Sequence, residues 1–238
     1  MLFGVLPNFK QQLMKNIKVL NLYACLGGNR YKWNEVYDDI EVTAVELDPY
    51  LANMYQERFP NDKVIVGDAH QYLLDHYNEF DFIWTSPPCP THSRARYWNA
   101  VSEKTNTVPV YPDLKLYEEV LFLQNWFKGK YVVENVIPYY QPLIPAQKRH
   151  RHLYWANFTL PKTLSERKVK ISAGKNEMVD LCDFHDYDFY QYKGKQRSDK
   201  IARNLVDYEA GKTIFQTVVD ILQNKPAHQI GLFQNVIV

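Results

Sequence analysis

The sequence of 238 residues predicts one large α/β domain with a small appended lobe. Three observations support this fold class. Five short apolar runs of the kind that form buried strands alternate with stretches of helical periodicity. These strand candidates end in glycine, acidic residues or cysteine, as expected where the strands of an open sheet meet a ligand. Finally, 46% of the residues are hydrophobic and 15% are aromatic, which favours a packed core over disorder.

Composition favours a protein of a reducing compartment, which we expect to be cytoplasmic. Cys25, Cys89 and Cys182 lie far apart, so the sequence has neither a disulfide framework nor the spacing of a zinc site, and no metal is expected. No stretch approaches the ~20 apolar residues of a membrane helix, and the first residues lack a basic leader. Residues 148–203 carry 13 Lys and Arg against 7 Asp and Glu, which indicates either a polyanion-facing side or a solvated surface.

The first strand candidate, residues 18–23, runs into a glycine turn. Gly27 and Gly28 form this turn, and a helix-like stretch follows through Trp33 and Val36. A strand, a glycine turn and a helix in succession are typical of a nucleotide-like ligand, because glycine lets the backbone approach closely. The pattern is not the three-glycine dinucleotide fingerprint, and a paired glycine is also a common turn.

The second and third strand candidates, residues 41–46 and 64–69, both end near an acid. Glu46 follows the glycine turn by ~20 residues, which places it to accept hydrogen bonds from ribose hydroxyls. No capping role explains Glu46, whereas Asp48 precedes a proline and is expected to cap the next helix. Asp68 either caps the helix that follows or accepts a hydrogen bond from an adenine amino group, and both alternatives stay open.

The fourth strand candidate, residues 80–84, leads to Cys89. Pro87 and Pro88 can neither continue a strand ladder nor start a helix interior, so the chain leaves the sheet at this point. Cys89 is therefore fixed at the carboxyl end of a strand, where its thiol is a candidate nucleophile. The alternative is that Cys89 is a small buried hydrophobic residue, as most free cysteines are.

A long connection separates this strand from the next. Residues 90–112 have little periodicity, and a segment of that length is usually a functional lid or disordered. Residues 113–127 then show the spacing of an amphipathic helix. Residues 131–136 form a fifth strand candidate, which carries the acid Glu134 near its end.

The last third of the chain is less regular. Residues 147–155 alternate in strand fashion, which places Arg149 and Arg151 on one face. Two such cations face solvent unless they share the face with an anion or another acceptor. Residues 211–222 predict a helix that packs back on the sheet. The expected division is a main body at 1–156, a small lobe at 157–203 and a returning C-terminal part at 204–238.

Together these strand ends resemble those of the DNA cytosine-5 methyltransferase family. The resemblance runs from about residue 18 to residue 155 in the family's motif order. Its specific parts are three motifs, Pro87-Pro88-Cys89, Glu134-Asn135-Val136 and Gln147-x-Arg149-x-Arg151. The chain is similar to compact members from phage and mobile elements. The resemblance implies a Rossmann-like sheet that binds S-adenosyl-L-methionine, with a small target-recognition lobe.

The resemblance also implies roles for the matching residues in methylation of cytosine carbon 5. Cys89 would add covalently to carbon 6 of a flipped-out cytosine, and Glu134 would hold the ring nitrogen and exocyclic amine. Arg149 and Arg151 would support the pyrimidine oxygen and the glutamate, and would lower the pKa of the thiol. The implied cofactor-binding residues are Tyr23, Gly27, Gly28, Glu46, Asp68 and Pro88.

The implied partner is double-stranded DNA, over which a loop with Ser93, Arg94 and Arg96 would close. We expect a monomer without membrane attachment, and a restriction endonuclease is a candidate partner. The chain also departs from the family pattern in three places. Cys25 stands at the first glycine of the cofactor turn, Pro90 replaces a glutamine, and residues 209–212 occupy the place of a Gly-Asn pair.

Three rival functions remain open at this stage. A tRNA-methylating relative shares the three motifs, so they do not exclude an RNA substrate. A catalytically silent, methyltransferase-like nucleic-acid-binding protein would need neither Cys89 nor Glu134. An amino-methylating enzyme would carry an aromatic residue after Pro87 and Pro88, where this sequence has cysteine.

Overall fold

The protein folds around one mixed β-sheet, seen in a computed structural model that describes residues 16–102, 107–165 and 176–223. Within these residues the sheet has seven strands. The strands are β1 (Ile17–Leu22), β2 (Ile40–Glu46), β3 (Lys63–Val66), β4 (Phe82–Thr85), β5 (Lys130–Val136), β6 (Gln147–Arg149) and β7 (His152–Ala156).

The strand order is β3-β2-β1-β4-β5-β7-β6. Strands β1 to β5 run parallel, whereas β7 is antiparallel to both of its neighbours, β5 and β6. The chain winds from β1 out to β3, then returns and continues from β4 in the other direction. The order therefore reverses between β1 and β4, where such sheets open a crevice at the carboxyl ends of the strands. The predicted α/β fold is confirmed.

Helices pack on both faces of this sheet. Within the described ranges they are α1 (Pro49–Arg58), α2 (Ala69–His76), α3 (Arg94–Val101), α4 (Lys115–Trp126), α5 (Glu177–His185), α6 (Ser198–Asn204) and α7 (Tyr208–Gln223). Short 3-10 helices span Trp33–Glu35, Tyr77–Glu79 and Phe189–Gln191. The helices predicted over 113–127 and 211–222 correspond to α4 and α7.

Two hydrophobic cores lie on opposite faces of the sheet. On one face Trp33 stacks on Phe215 of α7, with ring centroids 5.0 Å apart, and both rings contact Phe82 of β4. On the other face Ile83 of β4 packs in a cluster with Leu123 of α4. Successive residues of β4 thus point into different cores, as the two-residue period of a strand requires.

Two local predictions differ from the structure. The helix expected through Trp33 and Val36 is only the 3-10 turn Trp33–Glu35, because α7 already covers this face and Trp33 fills the space beneath it. Conversely, α3 lies in the connection for which no helix is predicted. None of the residues of α3 is buried, and Trp98 is 67% exposed, so no apolar periodicity marks this helix in the sequence.

Helices α5 and α6, in the stretch predicted to form a lobe, share a core with the main body. Leu181 of α5 and Ile201 of α6 belong to one apolar cluster with Leu26 and Leu51. Arg58 of α1 also joins the two parts, since its guanidinium donates to the carbonyl oxygens of Leu26 and of a lobe residue. In the part of the chain that the structure describes, every helix is too short or too polar to span a bilayer.

Candidate active site

Cys89 and Glu134 lie on neighbouring strand ends and line one cavity of about 590 Å³. β4 and β5 pair in parallel, with Thr85 opposite Val133, so the chain leaves β4 beside the last residues of β5. The buried amide of Asn135 donates a hydrogen bond of 2.9 Å to the carbonyl oxygen of Pro87. This bond fixes the proline turn before Cys89 to the strand that carries Glu134.

The environment of Cys89 favours the neutral thiol. Burial, and then the nearby Glu134 carboxylate, raise the pKa of Cys89 to about 11, while Lys200 acts in the opposite direction. The backbone N–H groups of His92 and Ser93 both donate to the carbonyl oxygen of Cys89, at 3.0 and 3.1 Å. The turn therefore holds the sulfur in place but does not by itself generate a thiolate.

Glu134 has a close imidazole neighbour that the sequence did not indicate. The Nε2 atom of His152 lies 3.5 Å from Oε1 of Glu134, and the carboxylate belongs to a residue that is only 7% exposed. His152 begins β7, which pairs with β5 so that His152 lies opposite Val136. The antiparallel strand thus places an imidazole beside the carboxylate in the cavity that contains Cys89.

The glycine turn after β1 lies at the same crevice. Gly27 has φ of +66°, and a Cβ added to it would lie 2.4 Å from the ring of Phe59. A Cβ on Gly28 would lie 2.5 Å from the carbonyl oxygen of Val206, so this position also excludes a side chain. Cys25, at the family's first glycine, adopts φ of 47°, a left-handed conformation that is costly for a residue with a Cβ.

Glu46 holds this turn together, which corrects the expectation that it has no structural role. Its carboxylate accepts hydrogen bonds from the backbone N–H groups of Cys25, at 2.8 Å, and Asp48, at 2.9 Å. Burial raises the pKa of Glu46, while these backbone donors act against that rise. Asp48 caps α1 as predicted, because its side chain accepts from the backbone N–H of Tyr50.

A second cavity, of about 560 Å³, adjoins the first. The two share lining residues at Tyr23, Glu46, Pro87, Pro88 and Gln196. Asp68 lines the second cavity and also caps α2, since its carboxylate accepts from the backbone N–H of His70. Both alternatives for Asp68 are therefore compatible with its position.

The second cavity is chemically suited to an adenosine group. Carboxylates from Glu46 and Asp68 can accept hydrogen bonds from hydroxyl and amino groups, and Pro88, Leu47 and Leu116 offer apolar surface. Its volume falls in the range of ordinary cofactor sites. Tyr23 stands where this cavity meets the one that contains Cys89.

The comparison with protein families decides the assignment. The model of the C-5 cytosine-specific DNA methylases matches residues 17–136, half of the chain, from β1 to the end of β5. The chain belongs to this family.

The chain is also similar to individual proteins. It is 33% identical over 101 residues to the Type II methyltransferase M1.HgaI of Avibacterium volantium, a match that covers 40% of this chain. The match spans only 28% of that relative's length.

Solved structures give weaker likenesses. A TehB-like SAM-dependent methyltransferase from Corynebacterium glutamicum aligns over 52% of this chain and 56% of its own, with 17% identity and a TM-score of 0.32. PKMT2 from Rickettsia typhi, in complex with AdoHcy, aligns over 50% of this chain and 20% of its own, with 16% identity and a TM-score of 0.34. These scores are low, and the fold assignment rests on this chain's own strand order.

The arginine pair of this chain is placed differently from the prediction. A tight turn at His150 and Arg151 separates β6 from β7, with His150 at φ of 48° and Arg149 opposite His152. Residues 147–155 are therefore a hairpin, and the two arginines do not share one strand face. Both still line the cavity of Cys89.

Arg149 is engaged by backbone carbonyl oxygens. Its guanidinium donates to Pro161 at 2.6 Å, to Leu160 at 2.8 Å and to Lys148 at 2.8 Å. These bonds anchor the segment that follows β7. The expectation that arginines lower the pKa of Cys89 is wrong, because the cation that acts on this thiol is Lys200 of α6.

The predicted DNA-binding residues Ser93, Arg94 and Arg96 lie at the beginning of α3. Ser93 lines the cavity of Cys89 and bridges to Pro138. Arg94 donates to the carbonyl oxygen of Pro138 at 3.1 Å. Arg96 donates to the carbonyl oxygen of Val108, which lies beyond the helix, at 3.3 Å. These contacts attach α3 to the body next to the thiol.

The C-terminal segment reaches the cavity partly through the expected residues. Residues 209–212 form the first turns of α7, where Glu209 pairs with Lys32 and Lys212 with Glu35, and Ala210 lines the cavity. Asn204 also reaches the cavity, and Val206 lies against Gly28. Asn204 ends α6, and no periodic pattern in the neighbouring sequence marks it.

Proposed function

We propose that this chain transfers a methyl group from S-adenosyl-L-methionine to carbon 5 of cytosine in DNA, with Cys89 as the covalent nucleophile. One observation carries the proposal. Cys89 and Glu134 line one cavity at the switch point of the sheet, and the adjoining cavity suits an adenosine group. Because the match to M1.HgaI spans a minor part of that protein, the activity is proposed for this chain and not taken over from it.

The residue types fit the chemistry of this reaction. Cytosine carbon 5 is a poor nucleophile, and addition of the Cys89 sulfur to carbon 6 makes carbon 5 enamine-like, which divides one hard step into easier ones. Charge that develops on the ring is neutralised by a proton at the ring nitrogen, which Glu134 would hold. His152, 3.5 Å from Glu134, supports that carboxyl. After methyl transfer, loss of the carbon-5 proton to a base and expulsion of the Cys89 sulfur from carbon 6 break the covalent bond and restore the ring.

The cofactor occupies the adjoining cavity in this proposal and supplies the methyl group. Glu46 binds the ribose hydroxyls, Asp68 the adenine amino group, and Pro88 lines the ring. Tyr23, Gly27 and Gly28 border the methionine part, where the left-handed turn brings the backbone close. Glu46 keeps the geometry of that turn through Cys25 and binds the ribose with its remaining lone pairs.

The DNA substrate faces α3 and the lobe. The target base is unreachable inside a duplex and is flipped out, at a cost of a few kcal/mol. Ser93, Arg94 and Arg96 close over the opened strand, and Arg149 and Arg151 support the base from β6 and the hairpin turn. Because the chain is similar to a Type II methyltransferase, we also propose a restriction endonuclease as its functional partner. We propose that the enzyme itself is a monomer.

Transfer of label from S-adenosyl-L-methionine tests this function. The protein is incubated with labelled cofactor and either unmethylated genomic DNA or bulk tRNA, and the modified base is identified after hydrolysis. We expect label in 5-methylcytosine from DNA. Label in tRNA alone would favour an RNA substrate, label in N-methylated bases would reject the carbon-5 assignment, and cofactor binding without transfer would indicate a silent binding protein.

A further inference from the structure

Glu119 of α4 is a buried acid that the proposed reaction does not use. Its side chain is 0% exposed, beneath the wall of the two cavities. The carboxylate accepts hydrogen bonds from the hydroxyl of Tyr23 at 2.5 Å, the hydroxyl of Thr85 at 2.7 Å and Nδ1 of His70 at 3.1 Å. These donors come from the ends of β1 and β4 and from the first turn of α2, the three elements around the crevice.

A carboxylate in this position is costly unless it is fully paired. Transfer of an ion out of water carries a large desolvation penalty, which only well-placed partners offset. The hydrogen bond to Glu119 raises the pKa of His70, with Glu118 acting in the same direction and Lys115 against it. The imidazole and the two hydroxyls thus supply the donors that pair this carboxylate.

Tyr23 is the member of this network that reaches the ligand site. It lines both cavities and adopts φ of 55°, a left-handed conformation that is unfavourable for a residue other than glycine. Such a conformation persists only where surrounding contacts fix it. The bond from the Tyr23 hydroxyl to a fully buried carboxylate is a contact of that kind.

We infer that Glu119 is a positioning residue, which holds the ring of Tyr23 in the wall between the cofactor cavity and the cavity of Cys89. The inference rests on the proposed function, because it assumes that the adjoining cavity takes the adenosine part of the cofactor. It assigns Glu119 no contact with the ligand and no part in the chemistry. Its effect on the cofactor passes through Tyr23.

A double-mutant cycle on cofactor binding tests the inference. The dissociation constant of S-adenosylhomocysteine is measured by calorimetry for the wild type, Glu119→Leu, Tyr23→Phe and the double variant. We expect each single variant to bind about 10-fold more weakly, and the double variant no more weakly than either, because Tyr23→Phe removes the donor and Glu119→Leu the acceptor of the same bond. Glu118→Leu is the matched control, since Glu118 pairs with His70 from the same helix at an exposed position. It is expected to bind like the wild type.

The possible outcomes separate this inference from the function on which it rests. If the wild type does not bind S-adenosylhomocysteine, the cofactor assignment and the inference both fail. Wild-type affinity in Glu119→Leu, or additive losses in the double variant, would overturn the inference alone. Should Glu119→Leu fail to fold, Tyr23→Phe carries the test, because it keeps the ring and removes the same bond. An unchanged dissociation constant in that variant overturns the role of Glu119.

The kinetic readout distinguishes positioning from a general loss of stability. We expect Tyr23→Phe to raise the KM for the methyl donor and to leave the KM for DNA unchanged. A parallel rise of both constants would contradict a role at the cofactor cavity.

Discussion

The site is assembled from two regions that differ in how their residues are fixed. The strand-end region provides Glu46, Cys89 and Glu134, each at the carboxyl end of a parallel strand. The returning region, residues 147–223, provides Arg149 and Lys200 from a hairpin and a short helix. In the first region the topology of the sheet alone places a side chain at the crevice. In the second, placement depends on tertiary contacts such as those of Arg149 with backbone carbonyl oxygens.

This difference predicts that substitutions in the two regions affect different properties of the protein. Changes in the strand-end region will act on catalysis or cofactor binding, because those side chains face the cavities. Changes in the returning region will act mainly on stability or on the ionisation of Cys89. The reason is that Arg149 donates to backbone carbonyl oxygens and Lys200 acts on the thiol.

The largest effect is expected for Cys89→Ser. The hydroxyl of serine is a far weaker nucleophile than a thiolate, so methyl transfer should fall by at least about 1000-fold. Binding of S-adenosylhomocysteine should stay within about twofold of the wild type, because Glu46 and the glycine turn are untouched. Transfer of labelled methyl groups and calorimetry measure the two quantities. Full activity in this variant would reject the covalent mechanism.

The pH dependence of Cys89 alkylation links the two regions. Because burial and Glu134 raise the pKa of this thiol to about 11, the thiolate fraction should increase about tenfold per pH unit from pH 7 to pH 10. The rate of iodoacetamide reaction at the Cys89 peptide should follow it, as measured by mass spectrometry. Lys200→Gln should slow the reaction further at each pH, since it removes the opposing cation. A rate that levels off near pH 7 would contradict the described environment.

A smaller effect is expected for Glu46→Ala. Loss of the carboxylate removes the bonds to Cys25 and Asp48 and the acceptor for the ribose, which should weaken cofactor binding by roughly 1–3 kcal/mol. Titration with S-adenosylhomocysteine measures the change. Glu41→Gln is the control, because Glu41 lies on the same strand at an exposed position away from the crevice. Equal affinity in both variants would mean that the ribose contact is misassigned.

The smallest effect is expected for Arg149→Ala, and it concerns stability. Three carbonyl oxygens lose a charged donor, so the free energy of unfolding should fall by about 1–3 kcal/mol. Lys148→Ala, at the exposed neighbouring position of β6, should change it by less than about 0.5 kcal/mol. Urea denaturation compares the two. Unchanged stability in Arg149→Ala would contradict the anchoring role, whatever the activity of that variant.

The same comparison explains which features the sequence could predict. Five parallel strands and the residues at their ends follow from apolar runs bounded by glycine, acid or proline, and these were placed correctly. Glu46 was located at the crevice, but its bonds to the backbone N–H groups of Cys25 and Asp48 depend on how two loops meet. The local sequence does not indicate which loops will contact each other in the folded protein.

The returning region lacked the patterns on which such predictions depend. The alternation over 147–155 predicted one strand, whereas the chain turns at His150, which no glycine or asparagine marks. The exposed helix α3 has no apolar stripe, and Asn204 reaches the cavity from the end of a short helix. In each case tertiary contacts override the weak local preference.

The central claim is that the Cys89 sulfur attacks a pyrimidine which Glu134 holds beside the bound methyl donor. The most direct measurement is mass spectrometry of the protein after incubation with cofactor and duplex DNA in which 5-fluorocytosine replaces every cytosine. The account predicts a stable protein–DNA adduct on the Cys89 peptide, and no adduct with Cys89→Ser. An adduct on another residue, or methylation of ordinary DNA by a protein that forms no adduct, would contradict it.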